Sequence, residues 1–164
     1  MPFRNFPWCR TLAVLLLAGN LALVYLFVIR GNTVTTSGSD TRTAIVLAES
    51  ERSLVLTEMR QFLSAVQVIN GAIADRDMER VASTAHGVGR SAAQAVPVEL
   101  MSKLPLQFKQ LGLSTHEGFD QIALDARDLS DPQHTLQQLS RLMANCVACH
   151  ATYQLRLPAP TTDR

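Results

Sequence analysis

Near the C-terminal end of the chain stands Cys146-Val147-Ala148-Cys149-His150, and no other stretch constrains the fold as tightly. C-x-x-C-H is the pattern that attaches c-type haem. The spacing has a chemical reason. On a helix, positions i and i+3 share a face, so both thiols can reach the two vinyl groups along one side of a porphyrin. The residue that follows presents its imidazole to the iron as proximal ligand. Two other chemistries use paired cysteines. A redox dithiol of the thioredoxin kind would sit in a strand-helix alternation, and none surrounds this motif. A zinc site would need a second Cys or His pair at ligand spacing, whereas His116 and His134 stand alone. The sequence therefore predicts one covalent haem c, joined to Cys146 and Cys149 with its iron on His150.

The opposite end of the chain is apolar. Thr11 to Ile29 runs 19 residues without a charge, interrupted only by Gly19 and Asn20. A bilayer core takes about 20 such residues, whereas a signal peptide's apolar region is usually about 7–15 long. The length favours an uncleaved anchor over residues 1–30, with a signal peptide cut after Arg30 as the alternative. Arg4 and Arg10 precede the segment, Arg30 and Arg42 follow it, and Trp8 and Tyr25 suit the interfaces. The Lys/Arg asymmetry is too small to set orientation. Residues 31–42 are small and polar and read as a flexible tether. From Thr43 onward, 11 Lys/Arg face 13 Asp/Glu, so no basic face for nucleic acid is expected.

Residues 43–157 carry four helical patterns and no strand pattern. Ile45, Ala48, Val55, Met59, Phe62, Val66, Ile69 and Ile73 mark one face of a helix from Thr43 to Ala74. Asp77 is a candidate N-cap for a second helix carrying Met78, Val81, Ala82 and Ala85. Gly87 and Gly89 either stop that helix or thin it for a close neighbour. A connection holding Pro97 and Pro105 follows. Ser114-Thr115-His116-Glu117 matches a capping box and opens a third helix. Asp131-Pro132 opens the fourth. Its face is Leu136, Leu139, Met143, Cys146, His150, Tyr153 and Leu157, and Pro158 begins the tail 158–164. The predicted architecture is all-α: a four-helix up-down bundle with haem between facing helices, preceded by one N-terminal transmembrane helix.

A haem motif at the far end of a four-helix chain resembles the cytochrome c′ group, the class II c-type cytochromes. The residues that carry the likeness are CVACHATY at the end and the His116-x-x-Phe119-Asp120 opening of the third helix, similar to small methionine-ligated relatives. Two departures stand out. Gln154 occupies the place where many cytochromes c′ have a basic residue, and an anchor is unusual in a group of mostly soluble proteins. The resemblance implies attachment of the haem on the outer face of a bacterial inner membrane, hence a periplasmic domain, soluble there if the segment is cleaved. It also implies that the first helix faces the distal side of the haem, and helix-face homodimers occur in the group.

His150 lies 19 residues beyond the Asp131 cap. On an antiparallel first helix ending at Ala74, the same depth falls near Val55, Leu56 and Met59, within about one turn at about 1.5 Å per residue. Met59 can coordinate iron; Leu56 would leave the sixth position open. His86 is a weaker distal candidate at the edge of its helix face; His116 reads as a packed or hydrogen-bonded structural residue, His134 as solvent-facing, and Met78, Met101 and Met143 as core. With Met59 the expectation is a one-electron carrier that serves membrane-bound or periplasmic redox proteins. With Leu56 it is a five-coordinate haem that binds NO or CO. A peroxidase would need a distal acid-base pair, and the sequence offers no clear one.

Overall fold

The computed structural model describes residues 7–34, 39–93 and 96–159. Arg4, the middle of the tether and the tail from residue 160 lie outside the described residues. Helix α1 (Pro7–Val24) continues as a wider π-helical turn, Tyr25–Arg30. The turn ends at Gly31, which sits at φ +63° and donates its N–H to the Leu26 carbonyl. Arg10–Arg30 is long and apolar enough to cross a membrane, a property that a signal sequence shares.

Helix α2 (Glu49–Ala74) begins where the Glu51 carboxylate accepts the Ala48 N–H at 2.9 Å. It ends through Arg76 at φ 57°, a left-handed residue that lets the Asp77 N–H reach back to the Ala72 carbonyl. Asp77 then caps α3 (Met78–Gly87) by accepting from the Arg80 N–H, as its sequence predicts. The two nearby glycines divide the roles that the sequence left open. Gly87 ends the helix, and Gly89 lets Asp120 approach, because a Cβ there would collide with that carboxylate. Short helices α4 (Arg90–Ala93) and α5 (Val98–Lys103) fill the connection.

Helix α6 (Leu106–Asp128) starts eight residues before the expected capping box. Inside it the Ser114 and Thr115 hydroxyls donate back to the Leu111 carbonyl rather than cap anything. Pro105 supplies the start, and burial of Phe108 makes the extra turns worth forming. Helix α7 (Pro132–Thr152) is capped by Asp131, which accepts from the Gln133 and His134 N–H groups. Helices α6 and α7 run antiparallel: Asp125 meets His134 and Gln138 at one end, and Ser114 meets Asn145 at the other.

Helices α2, α3, α6 and α7 pack around one core. Its large members Phe119, Ile122, Ile69, Val81 and Leu139 are fully buried, and Ala72, Ala82, Ala85, Ala123 and Ala126 let the helix backbones approach. Each large side chain contributes about 1.5–3 kcal/mol by leaving water.

Strands are the main departure from expectation. Thr33–Val34 (β1), Thr43–Val46 (β2) and Tyr153–Arg156 (β3) form a small sheet in the order β1-β2-β3, antiparallel then parallel. Thr43 to Val46 is therefore strand rather than the first turn of α2, and α7 stops at Thr152 rather than reaching Pro158. Ile45, Leu47 and Tyr153 bury themselves with Val55, Leu100, Leu104 and Phe108, and this second cluster outweighs the helical pattern those residues share. The folded region thus includes Thr33 and Val34, inside the segment expected to be a loose tether.

Candidate functional site

Cys146 and Cys149 are spaced to share one side of α7, and both are half-buried, while Val147 between them is exposed. Tyr153 fixes this end of the helix. Its ring packs edge-on against Phe108 at 5.5 Å, and its strand pairs with β2. The Arg42 guanidinium donates to the His150 carbonyl at 3.3 Å and so reaches the last turn of α7. The His150 imidazole is exposed and takes no hydrogen bond from the described residues.

Both thiols and His150 open onto a cleft between α2, α6 and α7 with a volume of about 380 Å³. Drug- and cofactor-sized sites occupy about 300–1,000 Å³ and are mostly apolar. Leu56, Met59, Phe62 and Val66 come from α2, Phe108 and Leu111 from α6, and Met143 from α7. The fold thus brings Met59 and Leu56, the two residues expected opposite His150, into one cavity with the C-x-x-C-H triplet. Both are half-buried. Leu63 at the same cleft is 70% exposed and Met143 42% exposed, so an apolar wall is left facing solvent.

The expected face of α7 is corrected in part. Its core side is Thr135, Leu139 and Leu142, whereas Leu136 and Leu157 are exposed and Met143 lines the cleft. The predicted face straddled the core wall and the cleft wall, which are adjacent on the helix. Met143 stands two turns before His150 on the same helix, so it cannot oppose it. Met78 is buried in the core and Met101 packs on the second cluster. His86 is exposed, 4.0 Å from Asp120, and does not line the cleft.

The thiols differ from those of a reactive dithiol. Burial pushes Cys146 up, and burial together with the neighbouring Cys146 charge pushes Cys149 up to about 11. Redox and metal-binding cysteines have lowered values and exist as thiolates. Among the described residues, no three His, Cys, Asp or Glu side chains converge to hold a metal ion. What the site offers a flat apolar ring is two half-buried sulfurs on one side of α7 and an apolar wall facing them. The residues present fit a covalently held porphyrin.

The cleft wall also holds an acid–imidazole pair that no local sequence pattern signals. His116 is 4% exposed in the middle of α6 rather than at its start. Its Nδ1 lies 2.9 Å from the Val88 carbonyl and its Nε2 3.3 Å from a Glu58 carboxylate oxygen, and Glu58 lines the cleft. Phe62 packs edge-on against the imidazole at 4.9 Å and stacks on Phe119. Burial alone would lower the His116 pKa, but the Glu58 hydrogen bond and the Val88 carbonyl outweigh it and hold the value above the usual one. In sequence, Glu58 is a lone acid beside Met59, and only the approach of α6 to α2 reveals the pair. His134, expected at the solvent face, is half-buried and likewise tied to an acid, with Nε2 3.0 Å from Asp125 across the α6–α7 contact. A second cavity, of about 250 Å³, lies between α2, α5 and α6 and shares Glu58, Phe108 and Gly112 with the cleft. No family model, no curated protein sequence and no solved structure matches this chain, so the reading of the site rests on its own geometry.

Proposed function

We propose that the chain is a membrane-tethered c-type cytochrome of the cytochrome c′ kind, with α2, α3, α6 and α7 as its up-down four-helix bundle. The observation that carries the reading is the cleft itself: C-x-x-C-H and two candidate distal residues line one apolar cavity. Bound there, haem would supply a one-electron iron couple. Cys146 and Cys149 would hold it through two thioethers, each Sγ bonding to a vinyl carbon while the thiol proton passes to the adjacent carbon. His150 would hold the iron, with Met59 on the same cleft as its second protein ligand. A thioether ligand favours Fe(II) and raises the potential relative to two imidazoles. Leu56, Phe62 and Val66 would surround the group with apolar side chains, and a drier shell favours the less charged reduced state. Held by both His150 and Met59, the iron would have no place for a substrate, which favours an electron carrier over an enzyme. Its partners are redox proteins in the periplasm or in the membrane that Arg10–Arg30 would cross.

Leu56 on the same wall supports a second reading, a five-coordinate haem that binds NO or CO. Optical spectra separate the two. The ferric protein is expected to show the weak far-red band of an iron-methionine bond, and Met59→Ala to remove it and admit CO. A high-spin ferric spectrum, or a band that survives Met59→Ala, would overturn the ligand assignment.

A further inference from the structure

Resting on the reading that Arg10–Arg30 crosses a bilayer, we propose that the helical domain is seated on the lipid headgroup surface through its α5–α6 corner. The cleft is thereby held in the membrane-proximal half of the domain. A loose tether would leave no bonds between the span and the domain; here they are continuous. The Lys109 ammonium donates to the Val28 carbonyl at 3.0 Å, inside the apolar segment itself. Gly31 lies so close to α5 that a Cβ on it would stand 2.5 Å from the Lys103 carbonyl oxygen. The Asn32 N–H donates to that oxygen at 2.7 Å, the Val46 N–H donates to the Asn32 carbonyl at 2.9 Å, and the Asn32 side chain returns to the Val46 carbonyl. The chain therefore passes from span to sheet in two residues, Gly31 packed tightly against α5 and Asn32 hydrogen-bonded to both α5 and β2.

A segment of 21 residues spans about 31 Å at 1.5 Å per residue, close to the thickness of a hydrocarbon core. Val28 then lies at the boundary and Lys109 at phosphate depth, its carbon stem against the apolar layer and its ammonium outside it. Lys103, paired with Glu51 at 2.6 Å, and Arg30 add cationic groups at the same level. The sheet joins this corner to the site. β1 pairs with β2, β2 pairs with β3, and β3 starts three residues beyond His150. Met59 lies about 15 Å along α2 from the same end. The turns at 75–77 and 129–131 close the far end of the helices.

The test uses the full chain in vesicles of phosphatidylcholine and phosphatidylglycerol that contain a phospholipid with a photoreactive diazirine headgroup. Labelled peptides are mapped by mass spectrometry, and the N-terminus is sequenced in parallel. The expected result is labelling of α5 and the first turns of α6 several-fold above the 75–77 and 129–131 turns. A Gly/Ser insertion of about ten residues between Arg30 and Gly31 lets the domain wander on a flexible coil and should erase the difference. Equal labelling of both ends in the unaltered chain would overturn the seating while leaving the span intact. A chain that begins beyond residue 30 would instead overturn the membrane reading. The readout does not depend on haem.

Discussion

Glu58→Gln probes the wall of the cleft and has a pH signature that a packing change would lack. The substitution keeps the shape of the side chain and removes the charge that His116 Nε2 meets at 3.3 Å. A hydrogen bond between charged groups contributes about 1.5–3 kcal/mol, and the 31% exposure of the Glu58 side chain places this one toward the low end, at about 1–2 kcal/mol. The sign follows from the raised pKa of His116. A group with a raised folded value stabilises the protein fully below its unfolded pKa of about 6.5, and the contribution is lost as pH rises through the folded value. Guanidinium unfolding of the detergent-solubilised chain, followed by circular dichroism from about pH 5.5 to about pH 9, measures it. Glu58→Gln should cost about 1–2 kcal/mol at the acid end and progressively less above neutrality. A deficit that stays constant across the range would show that no imidazolium faces Glu58, and the account of the wall would fail.

Two further substitutions test the scaffold. Phe119→Ala removes a fully buried ring stacked on Phe62 and should cost about 3–5 kcal/mol in chemical denaturation, where a loss below 1 would contradict the packing. Asp131→Ala deletes an acceptor for two backbone N–H groups at the start of α7 and should cost about 1 kcal/mol, with Asp131→Asn close to neutral.

The readable parts of this protein are those whose cause is local. Asp77 and Asp131 announce their helices because a capping side chain serves N–H groups two or three residues away. The C-x-x-C-H triplet is legible for the same reason, since helix pitch alone puts both sulfurs on one side. The sheet was hidden because Thr43–Val46 and Tyr153–Arg156 are four residues each, too short for their alternation to stand out from a helical stripe. Their pairing joins segments more than a hundred residues apart. The start of α6 was misplaced because Ser114-Thr115-His116-Glu117 has the letters of a capping box, while burial of Phe108 decides where the helix begins. Matching depths along antiparallel helices points to Val55, Leu56 and Met59; of these Leu56 and Met59 line the cleft, while Val55 is buried in the second cluster. The Glu58–His116 pair, the bonds from Val28 and Asn32 to the α5–α6 corner and the close approach of Gly31 to it depend on which elements meet, and no single segment encodes them.

If the thiols on α7 are joined to a porphyrin, the intact mass of the chain carries the haem with it. The chain is purified from a bacterial host that matures c-type cytochromes, and its mass is measured under denaturing conditions beside a thiol titration of Cys146 and Cys149. The expected product is a coloured protein heavier by one haem, in which neither of these cysteines reacts. A colourless, folded chain at its bare polypeptide mass, with both thiols free to react, would contradict it.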